Sequence, residues 1–540
     1  MAQSPEKKIR RRILVVQIFM VLFIGVIGAR AFDLQILKSD HLARLAENGY
    51  SRQITIKGER GQILDRHMNK LATSVEAVSI TACPAQIKNP AQAAKQIAAI
   101  LKIPQNPLEQ TLSTGRMFAW VARKISPDQA QEIQKLNLHG IHFEKDAKRF
   151  YPNRDLAAQV IGFTGSEDSG LEGLEYKYNT ILEGRKVDIR VKTDRAGRIL
   201  DLNPQWQSIL KGGSLVLTID KRIQFLSEKA LETTVRSSHA KSGIALVMNP
   251  ETGELLSMAH YPSFNPNNFG DYEKAFFRNR AVTDPFEPGS VMKVFTAAAA
   301  LEKGFSPKSI FFCENGTYRI GPFTINDTHP HDWLSINQII KVSSNIGAAK
   351  IVETIGNRTL HDYLIKFGFG RRTDIGAPGE TAGNLMHYRE WSRMDASAIS
   401  FGQGISVSAV QLISAISAVA NNGMMMQPML IKEILSPEGD SQQVFSPTPV
   451  GQVIRPETAV MVKKMMNLAV GPEGTGTKAA MNGYTVCGKT GTAQKALENK
   501  RGYSNSRYTA VFAGFAPLQN PELAILVVVD EPAKQYHGGE

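Results

Sequence analysis

Three short motifs stand in a fixed order along this chain: Ser290-x-x-Lys293, Ser343-x-Asn345 and Lys489-Thr490-Gly491. If they work together, the fold has to bring three different local settings to one place. Glu287-Pro288-Gly289 precedes the first serine, and residues 291–301 are an apolar, Ala-rich stretch closed by Gly304, so the pattern predicts a helix that begins at Ser290. Residues three apart share a helix face, which returns the Lys293 amine to the Ser290 hydroxyl. Ser343, Ser344 and Asn345 fall between helical stretches. Lys489 follows an apolar strand over 484–487, where Gly488 and Gly491 remove side chains on both sides and leave an edge that an extended peptide can lie along.

The first motif is weak alone, because Ser208-x-x-Lys211 and Ser238-x-x-Lys241 satisfy it as well. Taken singly, Lys293 reads as a surface lysine, Ser343 and Asn345 as capping groups, and Lys489-Thr490-Gly491 as a glycine-rich turn. Taken as a set they supply the groups of serine acyl transfer. Ser290 is the nucleophile and Lys293 its base, an amine whose pKa falls when burial strips its solvent. Ser343 relays a proton to the leaving amine, and Asn345 fixes the scissile amide. Lys489 with the Thr490 and Thr492 hydroxyls holds a substrate carboxylate beside Gly491. The backbone amides of Ser290 and Thr492 are the expected oxyanion donors, and Ser344 is expected to point away.

A chain of 540 residues exceeds one ordinary core, so at least two domains are expected. Lys plus Arg outnumber Asp plus Glu by 63 to 50, giving +13, and part of the excess is Lys7, Lys8, Arg10, Arg11 and Arg12. That cluster stands directly before residues 13–29, which carry no charge, as in a membrane helix with a cytoplasmic basic flank. A cleaved signal peptide is the competing reading, but the run is longer than the usual apolar region of one, so a retained anchor over 13–33 is expected. The remaining basic residues are dispersed and lack aromatic interleaving, which argues against nucleic acid. Cys83, Cys313 and Cys487 are too few and too scattered for a disulfide framework, and Cys487 reads as a buried strand residue.

The chain divides into a basic tail (1–12), the anchor (13–33), a mixed α+β domain (34–215) without a cluster of catalytic residue types, and a second domain (216–540). In the second domain a hairpin (243–248 and 254–258) opens the pattern. Helical stretches follow at 291–301, 336–354, 360–367 and 409–420, and strands return at 484–489, 508–515 and 523–530. This order predicts an α/β domain with one antiparallel sheet and helices on its faces. Neither a metal nor a cofactor is called for by any motif.

With the motifs placed, the chain resembles the penicillin-binding proteins. Tyr261-Pro262-Ser263-Phe264-Asn265-Pro266, Phe276-Phe277-Arg278-Asn279-Arg280, Phe286-Glu287-Pro288-Gly289 and Phe401-Gly402-Gln403-Gly404 are similar to the septal, FtsI-type members of class B. In the first domain, residues 60–66, Arg149-Phe150-Tyr151-Pro152 and residues 170–175 resemble the family's non-catalytic pedestal. The resemblance implies a β-lactamase-like transpeptidase fold on a dimerisation-type pedestal with a single transmembrane helix. It also implies D-Ala-D-Ala transpeptidation of peptidoglycan stem peptides on lipid II-derived strands, acylation of Ser290 by β-lactams, and a role in septal wall synthesis. An inner-membrane protein with a cytoplasmic N-terminus and a periplasmic catalytic domain would follow, with an FtsW-type glycosyltransferase and other divisome proteins as partners.

Two departures from the family pattern stand out. Met68 occupies a position in the first pedestal motif where glycine is usual, which calls the tight turn into question. The family also continues past His537-Gly538-Gly539 into a helix that packs on the sheet, so a partly uncovered sheet face is expected here. Alternatives are a catalytically silent scaffold or β-lactam sensor, an elongation-type transpeptidase, and a β-lactamase. The last is disfavoured because no Glu-x-x-Leu-Asn stands between Asn345 and Lys489 and the second motif lacks aspartate.

Overall fold

The computed structural model describes residues 5–192, 210–497, 502–534 and 537–540. By internal contact the chain forms two units, one of residues 1–58 with 185–210 and one of 59–184 with 211–540. In the first, helix Pro5–Phe32 is followed by a π-helical turn, Asp33–Leu37, and helix Ser39–Tyr50. Within Glu6–Leu37 an 18-residue stretch has mean hydropathy 2.4 and buries nothing against protein, as a membrane-crossing segment would. An antiparallel ribbon of Ser51–Lys57 with Lys186–Lys192 completes this unit.

The second unit holds two large sheets and several two-stranded ribbons. One runs in the order Ser441–Val444, Ile431–Leu435, Ser214–Leu217, Ile63–Leu64, Lys70–Ala82 and Ala119–Ile125, with Ile141–Phe150 also paired to Lys70–Ala82. Its single parallel pairing joins Ile63 and Leu64 to Leu215 and Val216. Helices Pro90–Leu101 and Pro127–Lys135 begin as their sequences dictate, with Asn89 and Ser126 accepting from the Gln92 and Gln129 amides and proline in the first turn. Ile97 and Ile133 of these helices share a core with Ile80 of the sheet and Leu112 of a third helix, Gln105–Leu112. Beside them Arg60 and Arg149 each place Nε 2.6 Å from a different oxygen of the fully buried Glu175.

The tight turn at Met68 forms without glycine. Met68 adopts φ 63°, and the Asp65 carboxylate accepts from the His67 and Asn69 amides, which holds the left-handed residue between them.

The second sheet is antiparallel throughout, in the order Cys487–Ala496, Tyr503–Ala516, Leu523–Asp530, Ser242–Met248, Leu255–Tyr261. It joins the opening hairpin to the C-terminal strands, as the sequence pattern predicts. Against it lie helix Pro456–Val470, on strand Cys487–Ala496, and the apolar helix Ala409–Ala420, which is buried over its whole length and starts with a Ser408–Gln411 capping box; Lys293–Glu302 packs on the helices beyond them. On another part of the sheet, Leu231 and Val235 of helix Lys221–Ser237 pack on Ala245 and Ala259, while Ile525 stands 38% exposed.

Three details differ from the sequence reading. The predicted helix over 336–354 is two helices, Ile336–Val342 and Asn345–Ile355, because Ser343 is left-handed at φ 63°, ψ 41°. Lys489 does not follow a strand but lies inside one, since the ladder from Cys487 to Phe515 continues through both glycines. Two small ribbons, Ile310–Phe312 with Trp333–Ser335 and Thr317–Ile320 with Phe323–Asn326, occupy a region whose strands are too short to show a period. The three cysteines are buried and free, and burial pushes the Cys487 thiol up to about 12.

Candidate active site

Ser290 lies in a 3-10 turn, Gly289–Met292, that feeds the helix Lys293–Glu302. One turn further on, the Lys293 side chain folds back and is 1% exposed. Its Nζ lies 3.0 Å from Ser290 Oγ, 2.7 Å from Asn345 Oδ1, 2.5 Å from the Ser343 carbonyl oxygen and 3.2 Å from Ser343 Oγ. Burial is the largest influence on this amine and the Lys489 charge the next, and together they hold its pKa well below the ordinary lysine value, with Asp327 acting in the opposite direction.

Lys489 enters from the sheet. It is fully buried, donates from Nζ to Ser343 Oγ at 2.9 Å and to the Thr490 carbonyl at 3.0 Å, and burial brings its pKa down to about 7. Residues alternate along the strand, so Thr490 and Thr492 face the other way from Lys489. There Thr490 Oγ1 meets Thr475 Oγ1 at 2.8 Å, and Thr492 Oγ1 accepts from the Gly538 amide at 3.0 Å. Cys487–Ala496 is the outer strand of its sheet, and among the described residues no strand pairs with its other edge. The strand and the Ser290 turn come so close that a Cβ on Gly491 would overlap the Pro288 carbonyl oxygen, and one on Gly402 would overlap that of Gly289.

Ser290, Lys293, Ser343, Asn345 and Lys489 are thus brought together, with Gly491 at their margin. Of the two decoys, Ser208 lies outside the described residues, while Ser238 Oγ donates to the Thr234 carbonyl at a helix end and Lys241 faces Glu531. Ser344 turns away from Lys293 into a buried site, where its hydroxyl donates to Asp327.

Two neighbours were not legible beforehand. Asp327 contacts the second motif from the end of a ribbon, 17 positions from Ser344, and no local pattern links them. Glu287, three residues before Ser290, accepts from the Gly404 amide at 3.0 Å and the Tyr503 hydroxyl at 3.1 Å, and burial raises its pKa. Its place beside Ser290 was the available clue. Among the described residues, no group of three or more His, Cys, Asp or Glu side chains is arranged to hold a metal ion.

Residues 243–540 match the penicillin binding protein transpeptidase domain, and residues 55–217 match the penicillin-binding protein dimerisation domain. A relative named probable peptidoglycan D,D-transpeptidase PenA, from Neisseria meningitidis, is 35% identical over 96% of this chain and 88% of that protein. Peptidoglycan D,D-transpeptidase FtsI of Escherichia coli K12 is 33% identical over 96% of this chain and 87% of its own length. The structure of penicillin binding protein 3 from Mycobacterium tuberculosis with aztreonam superposes with a TM-score of 0.70 at 28% identity, covering 90% of this chain and 92% of that one.

A transpeptidase domain behind a dimerisation domain, with relatives alike over nearly the whole chain, defines the class: the chain belongs to the class B penicillin-binding proteins. Its activity is peptidoglycan D,D-transpeptidation, and peptidoglycan and β-lactams are its ligand classes. Among the described residues one helix, at the N-terminus, is long and apolar enough to cross a membrane, which fits a single-pass anchor.

Proposed function

We propose that the chain cross-links septal peptidoglycan during cell division, with Ser290 as nucleophile. The observation that carries the roles is the convergence of Lys293 and Lys489 on Ser343 beside Ser290, with both amines depressed by burial. Neutral Lys293 takes the Ser290 proton as Oγ bonds the carbonyl carbon of the penultimate D-alanine. The amide bond then breaks, and the leaving D-alanine nitrogen receives a proton through Ser343. An acceptor amine attacks the resulting ester and frees Oγ, which regains its proton. Asn345 orients the scissile amide; the terminal carboxylate lies at the strand edge beside Gly491, held by the Thr490 and Thr492 hydroxyls from one face and drawn by the Lys489 charge from the other; and the Ser290 and Thr492 amides receive the oxyanion. Thr492 Oγ1 accepts from Gly538, which leaves its own O–H to donate.

The domain division proposed is a basic tail to residue 12, an anchor to 33, a pedestal to 215 and a catalytic domain beyond. The basic residues before the anchor support a cytoplasmic N-terminus and a periplasmic catalytic domain. The resemblance to FtsI supports an FtsW-type polymerase and divisome proteins as partners. Labelling with a fluorescent penicillin tests the chemistry: covalent label on the wild type and none on Ser290→Ala is expected. Rapid loss of label would favour a β-lactamase, and no label a silent scaffold. Depletion tests the setting: filaments with arrested septa are expected, and rounded cells would favour elongation.

A further inference from the structure

Ser343 sits in a strained place. A non-glycine residue at φ 63°, ψ 41° between two helices costs on the order of 1–3 kcal/mol and persists where its surroundings over-determine it. The residues that follow it are held by Asp327, at the end of the ribbon Thr317–Ile320 with Phe323–Asn326. The Asp327 amide donates to the Gly316 carbonyl at 3.1 Å, which fixes the residue's own backbone. Its Oδ1 accepts from the Asn345 amide at 2.5 Å and the Ile346 amide at 3.1 Å, and its Oδ2 accepts from Ser344 Oγ at 2.5 Å. Ser344 Oγ in turn accepts from the Gly347 amide at 2.8 Å, so one carboxylate and one hydroxyl satisfy three amides of the first turn of helix Asn345–Ile355. A fourth link runs from the adjacent residue, whose carbonyl, on Asn326, accepts from Asn345 Nδ2 at 3.0 Å. That bond fixes the Asn345 amide so that Oδ1 faces Lys293.

We propose that Asp327 is a positioning residue of the acylation machinery: it clamps the Ser343-Ser344-Asn345 segment in its strained form, and it places a carboxylate behind that segment on the side away from Ser290. Beside the burial that lowers its pKa most, Lys293 is faced among the described residues by one cation, Lys489 from the sheet, which lowers it further, and by one anion, Asp327, which raises it; Ser290, Ser343 and Asn345 are its neutral partners. The buried Cys313 thiol, 3.7 Å from Ser344 Oγ, is raised by its own burial and stays neutral. The two functions of Asp327 separate by substitution. Asp327→Asn keeps an oxygen for the Asn345 and Ile346 amides but removes the charge. Ser344→Ala keeps the charge but removes one arm of the clamp.

The inference rests on Ser290 being the acylated nucleophile, and penicillin labelling of wild type against Ser290→Ala tests that separately. The experiment is the second-order rate of β-lactam acylation across pH for wild type, Asp327→Asn and Ser344→Ala, with melting curves for each. With the anion gone, Lys293 deprotonates more readily, so in Asp327→Asn the limb on which acylation rises with pH is expected to move to lower pH by about half a pH unit or more. In Ser344→Ala the limb is expected to stay, while the rate falls about tenfold or more because Ser343 and Asn345 lose their setting. An unmoved limb in Asp327→Asn, with the protein folded, overturns the charge effect. A wild-type rate in Ser344→Ala overturns the clamp, as does a loss in rate that tracks a loss of folded protein. If Asp327→Asn melts below the assay temperature, the same limb is read in Asp327→Glu, where a wild-type position is expected and a shift to lower pH overturns the charge effect.

Discussion

Lys293 and Lys489 share one acceptor: their ammonium nitrogens lie 3.2 and 2.9 Å from the same oxygen, Ser343 Oγ. Two buried cations this close to one hydroxyl disfavour being charged together, and both carry depressed proton affinities. One group therefore serves as a base while the other remains available as a cation. The hydroxyl between them can hand a proton in either direction.

Removing the base should stop the chemistry without dissolving the fold. In Lys293→Ala, acylation by penicillin is expected to fall at least about a hundredfold, with a cooperative melt retained, because the helix Lys293–Glu302 gains a good helix former and loses a buried amine. Stopped-flow acylation with calorimetry checks this. Acylation near the wild-type rate would remove Lys293 from its role.

The Lys489 amine, brought down to about 7 by burial, should set a pH limit on carboxylate recognition. Its charge is present below that value and lost as pH rises through it, so KM for a peptide with a free C-terminal carboxylate should climb above neutrality. An amidated analogue should show no such climb, and Lys489→Ala should abolish the difference between the two. Steady-state assays of both substrates across pH provide the comparison.

How much of this was written in the sequence varies by residue. Ser290 and Lys293 were legible because a helix converts a spacing of three into a contact, and the sheet was legible because its strands are long and apolar. The place of Ser343 in a left-handed kink was not, since strain of that kind depends on distant support from Asp327. The strand carrying Lys489 was placed too early, over 484–489 in place of Cys487–Ala496, because glycines argue against a strand until a cross-strand partner is known; here Phe512 lies over Gly488. Met68 shows the converse, where a turn that glycine would ease is held by Asp65 instead.

The pedestal should depend on Glu175. Its carboxylate is fully buried between Arg60 and Arg149 and lies 3.3 Å from the Tyr151 hydroxyl, so Glu175→Ala leaves two buried cations uncompensated at a cost of about 3–5 kcal/mol. Denaturant melts should register the loss. An unchanged transition would contradict the reading.

Stability should also respond to Glu228, whose carboxyl is pushed up to about 7, chiefly by burial, where it accepts from the Ala157 amide and Gln224 Nε2. A carboxyl raised in the folded state contributes stability fully below its unfolded pKa and loses it as pH rises through the folded value. Glu228→Gln, held neutral, should therefore gain on the wild type between about pH 5 and pH 8, by an amount on the order of 2–3 kcal/mol. Melting curves of both proteins over that range decide it.

The central claim, that the five convergent groups make Ser290 the acylated nucleophile, is tested most directly by intact-protein mass measurement after penicillin treatment, followed by peptide mapping. The account predicts one adduct per chain, on Ser290, and none on Ser290→Ala. An adduct that survives Ser290→Ala, or a wild-type protein that takes none, would contradict it.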